Sequence, residues 1–167
     1  MPATMPLFLR ISATEWMEHT AEPSWTVDDT IRLAKTLPSL GVDLLDASSG
    51  GNSPDQKIPA SMDPYYQTDI AGRIRKELRA EGLELLIGAV GQVNEPERAR
   101  ELVQGDDARA DLLFVARQFL KEPAWVMHVA EALGVKVRRP VQYGYAVAFM
   151  DKVKKIQEAQ LPTNGKL

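Results

Sequence analysis

The chain contains no cysteine and only two histidines among its 167 residues. Without a thiol it cannot form a disulfide, a thiolate nucleophile, a cysteine-ligated zinc site or an iron–sulfur cluster. His19 and His128 lie far apart in the sequence, and neither has a second ligand at the spacing that metal sites use. We therefore expect no metal centre, and the lack of cysteine is typical of a reducing compartment.

Long apolar runs and an excess of basic charge are also missing. No apolar run approaches the roughly 18 residues of a membrane span. Arg10 interrupts the short apolar stretch near the N-terminus, so no signal peptide is predicted. The formal net charge is −3 with both signs interspersed, which argues against a nucleic-acid-binding surface. We expect a cytoplasmic globular protein.

Strand-like and helix-like segments alternate along the rest of the chain. Apolar runs predict strands over Leu7–Ile11, Val42–Asp46, Leu85–Val90 and Leu112–Ala116. Apolar residues at helical spacing predict helices that begin near Thr26, Thr68, Asn94 and Glu122. In the first of these helices, Thr26 with Asp29 three residues later is the expected N-terminal cap, and Asn94 is the expected cap of the third.

Alternating strands and helices predict an α/β fold with a parallel sheet and right-handed crossovers. Four such units fit either an open doubly wound sheet or half of a (β/α)₈ barrel, whose full size is about 250 residues. No Gly-x-Gly-x-x-Gly follows the first strand and no phosphate-binding P-loop motif is present, which disfavours a dinucleotide-type Rossmann domain. Phosphate-binding features on the last two units favour the barrel, where such a site follows strands seven and eight.

Those features are small residues at the ends of the third and fourth predicted strands. Gly88 and Gly91 end the third strand, and Ala116 and Arg117 end the fourth. Small residues let the backbone approach a ligand closely, and an arginine can bind phosphate oxygens in a bidentate manner. The alternative is tight packing of helix against strand beside a surface arginine.

Two further segments could contact a ligand. Arg10 lies in an otherwise apolar strand, where it could project towards an anionic ligand or pair with a neighbouring carboxylate. Ser49 belongs to the Ser48–Asn52 loop after the second strand, which either binds a ligand or forms a turn. Asp46, just before it, is expected to accept hydrogen bonds from loop N–H groups rather than to act as a general base.

Several motifs in the same order resemble the C-terminal half of the old yellow enzyme family, the FMN-dependent ene-reductases and NADPH dehydrogenases. The thermophilic-type fungal and bacterial branch is the most similar. The similarity covers about residues 5–143, and it is carried by Phe8-Leu9-Arg10-Ile11-Ser12-Ala13, Gly41-Val42-Asp43-Leu44-Leu45-Asp46, Ser48-Ser49-Gly50-Gly51, Ile87-Gly88-Ala89-Val90-Gly91, Leu113-Phe114-Val115-Ala116-Arg117 and Pro140-Val141-Gln142-Tyr143.

The resemblance implies that these segments are strands five to eight of a TIM barrel, with a C-terminal helix or tail over residues 144–167. It implies that Arg10 contacts the pyrimidine edge of FMN. It also implies that Gly91, Ala116 and Arg117 hold the FMN phosphate, with alanine at position 116 where the family usually has glycine. The implied reaction passes hydride from NADPH through FMN to an activated, enone-like alkene.

The first four strands of that family have no counterpart in this sequence, so its substrate-binding histidine pair and its usual proton-donating tyrosine are missing. No catalytic residue is therefore assigned. The chain is expected either to be a partial oxidoreductase or to serve as a non-catalytic half-barrel that binds FMN, a phosphate or a partner. A homodimer or a separate N-terminal half could complete the barrel.

Overall fold

The computed structural model describes residues 2, 4–138 and 141–145. The chain divides into two compact units, residues 1–133 and residues 134–167. The described part of the second unit contains a short 3-10 helix over Val141–Tyr143. The predicted boundary after residue 143 stays a prediction, because residues 146–167 lie outside the described residues.

The first unit contains a four-stranded, all-parallel sheet whose strands follow one another in chain order. The strands are β1 (Phe8–Ser12), β2 (Leu44–Ser48), β3 (Leu86–Val90) and β4 (Leu112–Phe114). This confirms the prediction of a parallel α/β fold. A doubly wound sheet reverses its strand order at a switch point, whereas this sheet does not. The consecutive order agrees with the predicted segment of a (β/α) barrel.

In the described part of the chain, five α-helices connect and follow the strands. They are α1 (Val27–Thr36), α2 (Thr68–Ala80), α3 (Pro96–Val103), α4 (Arg117–Lys121) and α5 (Trp125–Ala132), and a 3-10 turn over Pro38–Leu40 extends α1. None of the helices in the described part of the chain is long and apolar enough to cross a membrane.

The predicted cap of α1 is confirmed and that of α3 is wrong. Thr26 caps α1 in a reciprocal capping box with Asp29, in which each side chain bonds to the backbone N–H of the other. The N-cap of α3 is Glu95, which makes no capping hydrogen bond. The side chain of Asn94 instead accepts a hydrogen bond from Arg98.

One face of the sheet is covered by α1 and α2. Alternate strand residues such as Leu45, Ile87 and Ala89 are fully buried there against Ile74 and Leu78 of α2. This alternation follows from the strand period of two, because every second side chain points to the same face.

The opposite face is exposed at some positions and buried at others, since Leu44 and Asp46 are buried there. Its residues include Phe8, Leu86 and Leu112, which are 50%, 43% and 37% exposed. Parallel sheets are normally covered on both faces, because crossover helices or a closed barrel shield them. The fold therefore presents an apolar sheet face where a complete barrel would have its packed interior.

Candidate functional site

A cleft lies at the carboxyl ends of β3 and β4. It has a volume of about 340 Å³ and is lined by Val90, Gly91, Gln92, Val93, Asn94, Phe114, Val115, Ala116, Arg117, Gln118 and Lys121. Ligands of parallel α/β folds bind at this end of the sheet, where the loops that follow the strands come together. The cleft therefore lies between the ends of β3 and β4, the two strands at which the sequence predicted phosphate-binding residues.

The loop after β3 forms one wall of the cleft and has an unusual backbone. Gly91 has a φ of +112°, and Gln92 has a φ of +50°, a left-handed conformation that few residues other than glycine adopt. A Cβ atom added at Gly91 would lie 3.1 Å from Nε2 of Gln67. The backbone angle therefore favours glycine here, and a Cβ atom would also crowd the side chain of Gln67.

Gln67 fixes the start of this loop. Its Nε2 donates to the carbonyl oxygen of Val90 at 2.7 Å, and its Oε1 accepts from Oγ of Ser49 at 2.7 Å. Gln67 is buried, so these bonds are shielded from water. The end of β2 and the end of β3 are therefore held together by one side-chain amide.

The opposite wall follows β4 and carries positive charge. Ala116 precedes α4, and Arg117 and Lys121 lie one helical turn apart on that helix. Neither cation forms a salt bridge with any residue that the structure describes. The cleft thus has two exposed cations beside small wall residues, an arrangement suited to an anion.

Arg10 lies outside the cleft lining. Its Nε donates to Oδ2 of Asp46 at 2.5 Å, and its guanidinium carbon lies 5.5 Å from the ring centroid of Phe114. Pairing with a neighbouring carboxylate was one of the two interpretations of this arginine. Phe114 lines the cleft, so Arg10 is separated from the cleft by that ring.

Asp46 is a structural acceptor, but its donor is Arg10 and not the loop N–H groups that the sequence suggested. Its carboxylate is only 4% exposed, and its Oδ1 is buried without a hydrogen-bond partner among the described residues. Arg10 is 56% exposed, so Asp46 fixes one edge of a guanidinium that otherwise faces the open side of the sheet.

No protein-family model matches the chain. Three relatives illustrate its similarity to characterised sequences. It is 37% identical to an NADH:flavin oxidoreductase of Gibberella zeae over 87% of the chain and 35% of the relative. It is 40% identical to an NADPH dehydrogenase of Halalkalibacterium halodurans over 84% of the chain and 38% of the relative. A Bacillus subtilis NADPH dehydrogenase is 33% identical over 83% of the chain and 37% of the relative.

These relatives, named NADPH dehydrogenase or NADH:flavin oxidoreductase, confirm the predicted resemblance to the old yellow enzyme family. It spans little more than a third of the length of the curated relatives that it matches. A partial match of this kind agrees with a sheet of four strands, since a complete (β/α) barrel has eight.

The structure brings together three of the residues that resemblance to the old yellow enzyme family singles out. Gly91, Ala116 and Arg117 all line the cleft. Gly88 is buried within β3, where it packs beneath Phe114, and Ser49 binds Gln67 behind the loop. With Arg10 paired to Asp46, three of the six predicted ligand residues lie outside the cleft lining.

Sequence reasoning missed four polar residues of the cleft: Gln92, Asn94, Gln118 and Lys121. Lys121 could have been found, because it lies four residues after Arg117 and such a pair shares one face of a helix. The role of Gln67 behind the Val90–Gly91 turn had no signal in the sequence, since it depends on how α2 packs against β3. Among the described residues, no group of acidic or histidine side chains could hold a metal ion.

Proposed function

We propose that this chain forms the phosphate-binding part of an FMN-dependent, NADPH-linked oxidoreductase of the old yellow enzyme type. The observation that carries the proposal is the cleft in which Gly91, Ala116 and Arg117 come together. The relatives named NADPH dehydrogenase and NADH:flavin oxidoreductase support a flavin and a nicotinamide reductant. A cytoplasmic location goes with this proposal.

The charge of the cleft and the small residues in its walls support the terminal phosphate of FMN as its ligand. A phosphate monoester carries about −1.5 to −2 charges at pH 7, and Arg117 and Lys121 supply two positive charges that pair with no other described residue. The missing side chain at Gly91 and the short one at Ala116 leave room for phosphate oxygens to approach the backbone. In this arrangement Arg117 binds the phosphate and orients it.

Arg10 has a second role in this proposal. Asp46 holds its guanidinium on the sheet face opposite α1 and α2. In a complete barrel this face would be the interior. From there the guanidinium would place a positive charge beside the flavin ring rather than beside its phosphate. Bound FMN would supply hydride transfer from NADPH to an activated, enone-like alkene.

Titration of the purified chain with FMN, followed by flavin fluorescence, tests the phosphate assignment. We expect Arg117→Ala to weaken FMN binding by about tenfold or more, because a charge-assisted hydrogen bond contributes about 1.5–3 kcal/mol. Ser49→Ala should change the affinity less, because Ser49 bonds to Gln67 behind the loop. Arg100→Ala is the matched control, since this exposed arginine pairs with Glu97 on α3. Equal affinities in all three variants would contradict the assignment.

A second candidate function is that of a non-catalytic half-barrel that binds FMN, a phosphate or another chain. The open sheet face with Phe8, Leu86 and Leu112 favours it, because a flavin ring bound there would be covered on one side only. NADPH-dependent reduction of cyclohexenone by the purified, FMN-loaded chain distinguishes the two functions. Measurable turnover supports the oxidoreductase, and stoichiometric FMN binding without turnover supports the binding module.

A further inference from the structure

Arg98 connects helix α3 to the loop that forms the β3 wall of the cleft. Its Nη1 donates to the carbonyl oxygen of Gln92 at 2.9 Å and to Oδ1 of Asn94 at 3.0 Å. Gln92 and Asn94 both line the cleft, whereas Arg98 does not. One guanidinium therefore binds two points of the same wall from behind.

The backbone of this wall includes a left-handed conformation that a non-glycine residue does not favour, so other side chains must hold it in place. Gln92 has a φ of +50°, which glycine adopts readily and glutamine does not. A second bond constrains the same residue, since Nε2 of Gln92 donates to the carbonyl oxygen of Ala60 at 2.6 Å. The next residue, Val93, is buried in a hydrophobic cluster with Ala99 and Leu102. The shape of the wall thus depends on side-chain bonds to Gln92.

Arg98 is itself held in place. Its guanidinium carbon lies 5.2 Å from the ring centroid of Tyr65, and that of Arg109 lies 4.6 Å from the same centroid. Nε of Arg109 pairs with Asp69 at 2.8 Å. Nε of Arg98 is buried and has no hydrogen-bond partner among the described residues, so its polar contacts are concentrated at Nη1. The guanidinium is therefore stacked and aimed at the loop.

We propose that Arg98 is a positioning residue for the phosphate-binding cleft: it fixes the Gln92–Asn94 wall in the conformation that receives the ligand's phosphate. This inference rests on the proposed function for the identity of the ligand. It does not place Arg98 in contact with that ligand, since Arg98 acts through the carbonyl oxygen of Gln92 and the side chain of Asn94.

A comparison of FMN with riboflavin tests the inference, because riboflavin has the same ring system and lacks the phosphate. Removing two hydrogen bonds to a charged donor in Arg98→Ala should weaken FMN binding by about tenfold. The affinity for riboflavin should stay unchanged. Arg98→Lys keeps the positive charge and a donor, so it should recover part of the loss. The control is Arg100→Ala, which removes an exposed arginine from the same helix.

An equal loss of affinity for FMN and riboflavin in Arg98→Ala would show a general structural effect and would overturn the inference. Full FMN affinity in a folded Arg98→Ala variant would overturn it as well. If the unaltered chain does not bind FMN, the proposed function fails, and amide hydrogen exchange then decides the role of Arg98 separately. Faster exchange at Val93 and Asn94 in Arg98→Ala, but not in Arg100→Ala, supports the role. Unchanged exchange rates refute it.

Discussion

Gly88 lies in β3 directly beneath the ring of Phe114, and replacing it with alanine is a test of how this sheet is packed. A Cβ atom at position 88 would lie 2.4 Å from Cε2 of Phe114 and 3.3 Å from the Cα atom of Asp46. Carbon atoms in contact are normally about 3.5–4.0 Å apart. The ring would have to move by about 1 Å or more, and the Cα atom of Asp46 limits movement of the new Cβ atom on its own side.

The magnitude follows from two opposing effects. Overpacking of this kind costs about 1–3 kcal/mol. Alanine is favoured over glycine within a strand by roughly 0.5–1 kcal/mol. Taking the middle of each range, we expect Gly88→Ala to lower the free energy of unfolding by about 1 kcal/mol. With an m-value of about 2 kcal/mol per molar, this corresponds to a fall of roughly 0.5 M in the urea midpoint.

Urea unfolding of four proteins makes the test: the unaltered chain, Gly88→Ala, Phe114→Ala and the double variant. Once the ring is removed, alanine at position 88 should cost nothing or should stabilise the sheet, so the double-mutant cycle should show coupling. A Gly88→Ala chain as stable as the original refutes the reasoning, as does an equal penalty in the presence and absence of the ring. Loss of FMN affinity without loss of stability would instead indicate that Gly88 contacts the ligand.

Two other predictions concern acid stability and assembly. Hydrogen bonds from the side chain and the backbone N–H of Thr26 lower the pKa of Asp29 below its ordinary value of 3.8. Because this carboxylate is more acidic in the folded chain, its stabilising effect is present above pH 3.8 and is lost as the pH falls through the lowered pKa. Asp29→Asn should therefore lose less stability than the unaltered chain on acidification below pH 4, and identical pH profiles would contradict this. If two copies close one barrel by pairing β1 of each with β4 of the other, light scattering during size exclusion should give twice 18.5 kDa. A monomer at all concentrations would exclude such a dimer.

The fold could be predicted from the sequence because each buried strand is a short apolar run bounded by turn residues. The residues at which the strands begin and end could not be predicted. The second strand was predicted over Val42–Asp46 and extends over Leu44–Ser48. Val42 and Asp43, the first two residues of the predicted strand, bond outside the sheet ladder instead. The N–H of Val42 donates to the carbonyl oxygen of Leu37 at the end of α1, and the side chain of Asp43 accepts from the N–H of Leu7. These bonds depend on tertiary contacts that no local pattern reports.

The end of β4 shows the same limit at the candidate site. The sequence predicted a strand to Ala116, whereas the strand ends at Phe114 and a five-residue helix begins at Arg117. A helix of this length has too few apolar positions to show a period. Arg117 was singled out from the sequence as a residue beside small neighbours, but Lys121 could be placed beside it only once the helix was known. Asn94 is a residue type that often caps helices, but its side chain accepts a hydrogen bond from Arg98 instead of from the helix backbone.

The consecutive strand order also determines when contacts become available during synthesis of the chain. Paired residues such as Phe8 and Leu44, Leu44 and Leu86, or Gly88 and Leu112 are never more than about forty residues apart. Each strand therefore pairs with the one made just before it, and no early strand has to wait for a distant segment of the chain. The sheet can therefore form strand by strand in the order of synthesis. Each newly made strand pairs with the edge strand that was synthesised just before it.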